Sequence, residues 1–503
     1  MSESLLANVK NWADLFVDFC SRNEWIGSDS LFMLTPSFNS KVDEYSGVIG
    51  MDSASFKYVL MLLTTYPLAV IFSKLPNPLF KNVFSLVVGL WMMQNIFLGQ
   101  WIHSLITSVI SYILMLTLPN RIMPQTVFVF LLSYLSASHI YCMYVNYMGW
   151  TLDFTGPQML ITMKLSMLAY NIYDGRRIEQ LQTPTKNPKK DSVNKQRMKF
   201  AIKTVPNPLQ YFAYTYCFAT VLAGPAFEYK GYVDALTGEA YRTKTSNGGK
   251  LRIPPRAGPV LKKLTMGLLC VVIFQVFTPH FPIGLIAAPE TIAMPFIPRY
   301  VFIWFLLLVV RMKYYFAWKV TDGSAVLCGF GYEGKDEDGK HRWNGVETMD
   351  ILGFEFAENM TGNTRSWNKM AQNWLEGYVY SRTNNSLTAT YFVSAFWHGF
   401  YPGYYFFFMS LPLAQQTLRV ARKNISPHFM TNPTVSSVYK YFCVALNSVV
   451  VNYMVIPFQM LSFERGTLVW GSFRYGIHIA IVIVFVLAKF VVRPPKNTSK
   501  KVA

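Results

Sequence analysis

One imidazole and one carboxamide, thirty positions apart, carry the chemistry this sequence can support. His398 lies in Ser394-Ala-Phe-Trp-His-Gly-Phe-Tyr-Pro-Gly-Tyr404, inside a stretch from Thr383 to Leu418 that has no Asp, Glu, Lys or Arg and no other histidine. That stretch is apolar enough to cross a bilayer, which takes roughly 20 residues. An ionisable ring at such depth is costly and normally faces a protein-lined cavity, so its default reading is functional. Gly399, Pro402 and Gly403 follow at once and predict a broken helix, which membrane depth tolerates only where protein or cavity water satisfies the freed backbone. Asn368 stands in Thr364-Arg-Ser-Trp-Asn-Lys-Met-Ala-Gln-Asn-Trp374. An imidazole can take the proton of an attacking alcohol. A carboxamide can donate to a developing oxyanion or hold the nucleophile in line. Together they suit acyl transfer. No Gly-x-Ser-x-Gly elbow supports an acyl-serine route, and Cys443 has no motif around it, so direct attack on a bound donor is preferred.

The elements that position these groups must be membrane helices. The chain has 503 residues, 52% of them hydrophobic, with a mean hydropathy of +0.24, and it contains long uncharged runs. The formal charge of +19 falls mainly in connecting segments, which fits a cytoplasmic face against anionic headgroups rather than nucleic acid. Six scattered cysteines form no Cys-x-x-Cys, so neither a metal site nor a disulfide framework is expected. No signal-peptide pattern opens the chain. Membrane-length segments fall near 56–75, 79–98, 100–118, 124–146, 156–171 (interrupted by Lys164), 207–223, 258–278, 299–318, 387–411, 437–461 and 472–492, with a Pro-rich, re-entrant piece at 281–297. These predict an all-α polytopic bundle of about ten or eleven transmembrane helices. Internal repeats are not visible, which weakens a transporter built from duplicated halves.

Residues 4–20 place Leu5, Val9, Trp12, Phe16 and Phe19 on one helical face and read as an amphipathic helix lying on the membrane or on the bundle. Two polar insertions interrupt the spans. The first, Asp174 to Lys203, is strongly basic and is assigned to the cytosol. The second, Thr321 to Thr383, mixes Trp, Asn and charge and leads into the His398 span. The resulting organisation is a leader over 1–50, a membrane catalytic domain over 51–465, and a last span with cytosolic tail over 466–503. Lys500 and Lys501 resemble a dilysine retrieval signal, which predicts an endoplasmic reticulum membrane protein with a cytosolic C-terminus that engages coat-type retrieval machinery. Asn384 and Asn424 each begin a glycosylation sequon close to a span.

The Trp-Asn pair followed by Trp-His-Gly-x-x-Pro-Gly-Tyr resembles the membrane-bound O-acyltransferases, and most closely their lysophospholipid branch. Further pieces agree over about residues 50 to 465: Asp153-Phe-Thr-Gly-Pro157, Asn171-Ile-Tyr-Asp-Gly175, Gly224-Pro225 with Glu228-Tyr229, Lys313-Tyr-Tyr-Phe-Ala-Trp318, Gly329-Phe-Gly-Tyr332, Trp343-Asn344 and Ile351-Leu-Gly353. The family's threonine soon after Trp-Asn is absent, and Met370 and Ala371 stand there instead. The resemblance implies a helical bundle with a through-membrane reaction tunnel, acyl-CoA as co-substrate, a lysophospholipid acceptor, and His398 as base with Asn368 as its partner. It calls for no metal or cofactor. Arg365 and Arg382 are candidates for phosphates of CoA or of the lysolipid. Trp367, Trp397, Tyr401 and Tyr404 are candidates for substrate contact. Other acceptors of the family (diacylglycerol, a sterol, a protein) and a lipid transporter remain as alternatives. Headgroup, chain and position preference are not legible.

Overall fold

The computed structural model describes residues 36–149, 152–242, 253–430 and 432–493. The amphipathic helix expected at 4–20 and the lysine pair Lys500 and Lys501 lie outside the described residues. Among the described residues the secondary structure is all helical, apart from one isolated bridge between Lys335 and His341. The chain forms two compact units, one of residues Met1–Met266 with Ala317–Glu347, the other of Gly267–Phe316 with Thr348–Ala503.

The described residues of the first unit begin with α1 (Pro36–Ile49), α2 (Ser53–Lys74) and α3 (Pro78–Phe97). Asp52 and Asn77 start the latter two by accepting from the amides of Ser55 and Phe80. Then come α4 (Ile102–Thr117), α5 (Met123–Val145) and α6 (Thr155–Gly175). The sequence interrupts α6 with Lys164, yet the helix runs through it. Lys164 is buried, and its Nζ donates to the carbonyls of Tyr214 and Thr215 while lying 4.4 Å from the Tyr214 ring centroid. The carbonyl end of a helix thus solvates the cation. That helix is α9 (Pro208–Thr215), which follows the short α7 (Ile178–Gln182) and the basic α8 (Pro188–Phe200) and precedes α10 (Tyr229–Thr237).

Two helices contribute to both units, α11 (Ala257–Phe277) and, after the one-turn α12 (Pro289–Ala293), α13 (Phe296–Cys328). The second polar insertion therefore starts later than the sequence predicts, because α13 continues through Lys319 and Asp322 to Cys328. Ion pairs explain the extension. Glu347 receives Lys319 at 3.2 Å and Lys263 at 3.3 Å, so these buried ammonium groups do not end the helix.

In the second unit, α14 (Ile351–Glu355), α15 (Met360–Ser366) and α16 (Lys369–Trp374) make a chain of short turns. After them come α17 (Leu387–His398), α18 (Pro402–Asn424), α19 (Pro433–Met454), α20 (Ile456–Met460), α21 (Phe463–Ser472) and α22 (Gly476–Val486). Its core gathers Leu306, Ala414, Tyr453, Met454, Val469 and Trp470. Tyr453 stacks on Trp470 at 5.6 Å, and the Trp470 indole donates to the Tyr453 carbonyl at 2.9 Å. Such paired polar edges stabilise helix contacts where lipid offers no hydrophobic drive.

The multi-span, all-helical class agrees with the sequence. Six described helical runs are long and apolar enough to cross a membrane, or seven if the pair Phe463–Ser472 and Gly476–Val491, bent by 70°, is one span. The segments read at 79–98 and 100–118 form one continuous 40-residue helical run, with Leu98 at φ 49° between its halves. The 207–223 segment is helical only to Thr215, and the 387–411 segment breaks between His398 and Pro402. At 281–297 there are only a 3-10 turn over Ile283–Ala287 and the short α12. Hydropathy counts apolar length, and an apolar run folded into short buried helices has the same composition as a span.

Candidate active site

Asn368 sits at the joint between α15 and α16. Asn359 opens α15 by accepting from the Gly362 amide at 3.1 Å, and the Trp367 amide closes it on the Asn363 carbonyl at 2.8 Å. Asn368 then takes a left-handed conformation, φ 38° and ψ 60°, and becomes the N-cap of α16. Asparagine is among the few side chains that tolerate this region, since its short amide bonds locally. Its Oδ1 accepts from the Ala371 amide at 3.2 Å. Two further bonds pin the joint from outside: the Lys369 amide on the Thr348 carbonyl at 2.7 Å, and the Asp350 amide on the Ser366 carbonyl at 2.9 Å. The cap uses one acceptor site of Oδ1, and Nδ2, which makes no hydrogen bond among the described residues, keeps its donor capacity.

Trp367 is half-buried against Tyr314, Tyr315 and Phe354, with ring centroids at 6.1, 6.1 and 5.0 Å. Arg365, in the last turn of α15, is exposed. From α16 the chain passes through a π-helical turn, Leu375–Val379, and a 3-10 turn, Tyr380–Arg382. Single π turns recur at functional sites. Arg382 is half-buried, with its guanidinium 5.7 Å from the Tyr378 ring centroid.

Ser386 caps α17 through the Ala389 amide at 3.2 Å, and the helix ends on His398 itself. Twelve residues give about 18 Å of helix, well short of the roughly 30 Å of a bilayer core. The His398 ring is therefore carried at a helix end within an apolar segment. Gly399, at φ 118°, turns the chain out, its amide shared by the Ala395 and Phe396 carbonyls at 3.2 Å each. Around the imidazole stand Trp397 (4.8 Å), Phe408 (5.3 Å, stacked), Tyr404 (5.7 Å) and Phe458 (5.1 Å, edge-on). Tyr404 also meets Tyr401 at 6.0 Å and Phe458 at 4.7 Å. Trp397 is buried and packs on Trp374, the last residue of α16, at 5.8 Å. One tryptophan pair thus couples the helix capped by Asn368 to the helix that ends on His398.

The site holds two features that sequence reasoning did not pick out. Phe458 is one aromatic among many, and no spacing marks it. It reaches the imidazole because Gly403 lets α18 lie against α20: a Cβ there would stand 2.0 Å from the Pro457 carbonyl oxygen, and the Gly403 amide bonds the Leu461 carbonyl at 2.8 Å. The second is a buried ion pair. Arg311 meets Glu355 in a fork, Nε to Oε1 at 2.8 Å and an Nη to Oε2 at 3.0 Å, and donates to Asn452 at 2.7 Å. His103 and His478 instead take packing partners, Tyr134 at 2.8 Å and Tyr453 at 2.9 Å. The Glu228-Tyr229 piece lies in the first unit, where Tyr229 lines a cavity of about 320 Å³ with Asn207, Gln210 and Lys230. Burial pushes the Tyr229 phenol up to about 12.

With this geometry in hand, comparison with known proteins is decisive. Residues 139–456 match the model of MBOAT, the membrane-bound O-acyltransferase family. The chain belongs to this family. It is an O-acyltransferase, and its relatives lie in the lysophospholipid branch. The lysophospholipid acyltransferase of Schizosaccharomyces pombe is 29% identical over 87% of this chain and 87% of its own length. That of Saccharomyces cerevisiae is 28% identical over 87% of this chain and 74% of its own length. Membrane-bound glycerophospholipid O-acyltransferase 2 of Rattus norvegicus is 31% identical over 84% and 81% respectively. The matched residues include both Asn368 and His398.

Proposed function

We propose that this enzyme transfers a fatty acyl group from acyl-CoA to the free hydroxyl of a lysophospholipid, with His398 as general base and Asn368 as oxyanion donor. The imidazole takes the hydroxyl proton as the oxygen attacks the thioester carbonyl. The Asn368 Nδ2 donates to the oxyanion of the tetrahedral intermediate. Collapse breaks the carbon–sulfur bond, the ester stays on the glycerol, and the CoA thiolate leaves with the proton from the imidazolium. These steps need no metal or redox group. Arg365 and Arg382 are assigned to substrate phosphate and Tyr401 and Tyr404 to substrate contact, whereas Trp367, packed among Tyr314, Tyr315 and Phe354, carries Asn368. Trp397 acts from behind, through its packing on Trp374. The endoplasmic reticulum membrane is the proposed site of action.

The observation that supports this reading is the hydrogen bonding of Asn368: its oxygen caps α16, and its Nδ2 makes no hydrogen bond among the described residues and so has hydrogens to give. The printed names of the relatives support the acceptor class. The test measures free CoA released by purified protein, wild type beside His398→Ala, over lysophospholipids of different headgroups. Acceptor-dependent release that falls by about a thousandfold or more in the variant supports the mechanism, in line with 10²–10⁴ from a general base plus lost alignment. Wild-type turnover in His398→Ala removes the base. Release with no lysophospholipid, but with diacylglycerol or a sterol, moves the acceptor to another class.

A further inference from the structure

The buried ion pair Arg311–Glu355 is not used by the chemistry above, yet its contacts through Tyr315 and Phe354 lead to Trp367, next to Asn368. Glu355 is the last residue of α14, and Phe354, beside it, packs on the Trp367 ring at 5.0 Å. The Tyr315 hydroxyl donates to the Glu355 carboxylate at 2.6 Å, and the Tyr315 ring also packs on Trp367, at 6.1 Å. Trp367 directly precedes Asn368. Arg311 and Tyr315 are one turn apart on α13, so a single carboxylate joins α13 to α14 at the level where both touch Trp367. Arg311 is only 7% exposed, which a merely solvated arginine would not be. Asn368 needs such support. Its left-handed backbone is tolerated by asparagine better than by most residues yet is still uncommon, and a conformation of that kind persists where its surroundings over-determine it.

We infer that Arg311, Glu355 and Tyr315 form a brace that fixes Trp367, and through it the direction of the Asn368 carboxamide, making them positioning residues for the transfer reaction. The inference rests on the role of Asn368 proposed above. A brace of this kind acts on the transition state, where the donor must point at a developing charge, and not on the binding of either substrate. Loosening it lowers kcat and leaves KM in place. Glu355→Gln strands a buried guanidinium and tests folding as much as function. Tyr315→Phe is the cleaner variant, since it removes one hydroxyl and keeps the ring on Trp367.

The experiment determines kcat and both KM values for the full-length enzyme in detergent, as wild type, Tyr315→Phe, Arg311→Lys and Asn368→Ala, with folded fraction followed by thermal unfolding. Tyr315→Phe is expected to lose fivefold or more in kcat, with each KM within twofold and the folded fraction unchanged. Arg311→Lys, which keeps the charge and loses the fork, should lose at least as much. Unchanged kcat in both variants, a loss carried by KM, or a loss that follows the folded fraction overturns the brace. Asn368→Ala separates the two levels. If it is inactive while Tyr315→Phe and Arg311→Lys are normal, only the brace fails. If it turns over like wild type, the donor role of Asn368 fails, and the brace with it.

Discussion

At the scale of the residue, the two halves of Asn368 do different work, and substitutions can separate them. An aspartate there keeps an oxygen for the Ala371 amide and adds a negative charge at a helix N-terminus, which favours the cap. It has no hydrogen to give an oxyanion and repels one. We expect Asn368→Asp to express and unfold like wild type while kcat falls about 100-fold or more, the range for loss of one oxyanion donor. Turnover within tenfold of wild type would show that the cap is the whole of its contribution. The sequence made this residue and His398 legible through residue type and order. It did not make the backbone legible: nothing in Trp-Asn-Lys announces φ 38°, and with it goes the choice between donor and acceptor that fixes the chemistry. Arg311 was equally opaque. In sequence it is a cation ending an apolar run, and its fork with Glu355, forty-four positions away, gives it a structural partner.

At the scale of the element, the aromatic enclosure of His398 depends on how closely α18 approaches α20. Phe408 comes from α18 and Phe458 from α20, and both face the imidazole. Gly403 sets their distance, because any larger side chain meets the Pro457 carbonyl oxygen. Gly403→Ala must push the helices apart or strain them. An overpacked contact of this kind typically costs about 1–3 kcal/mol. We expect a lower unfolding temperature and a reduced kcat from one change that touches no substrate. Gly377→Ala makes the control, since a Cβ there meets nothing within 4 Å. Equal melting of the two variants would mean that α18 and α20 yield without penalty. The Gly399, Pro402 and Gly403 signals did predict the break between α17 and α18, since each residue type restricts the backbone locally. What they could not predict was the partner: Gly403 reads equally well as a helix breaker and as a contact site.

At the scale of the whole molecule, fewer described helical runs are long enough to cross than the segments read from the sequence, and the 207–223 segment tests the difference most sharply. Its composition suits a span, but α9 has eight residues, about 12 Å of helix. That is less than half of a bilayer core of roughly 30 Å. Its buried Tyr211, Tyr214 and Tyr216 are spent on protein partners, the Ser108 carbonyl, the Phe227 carbonyl and the Ser104 hydroxyl. If this segment does not cross, α11 and α13 are the membrane-length helices among the described residues between the basic loop and the polar loop that follows Cys328. Two crossings return the chain to the side it left, whereas three would not. Lys195 and Lys335 are both exposed and mark the two loops. In a variant whose native cysteines are replaced, Lys195→Cys and Lys335→Cys should both react with a membrane-impermeant maleimide added to the cytosolic face of sealed vesicles. The basic loop sets the absolute side, since Arg176, Arg177, Lys186, Lys189, Lys190, Lys195, Arg197, Lys199 and Lys203 outnumber Asp174, Glu179 and Asp191. Labelling of Lys195→Cys alone, with Lys335→Cys reactive only after detergent, would restore 207–223 as a crossing. Protection of both until detergent is added would reverse the orientation, because positive-inside asymmetry would then have been outweighed by the rest of the chain.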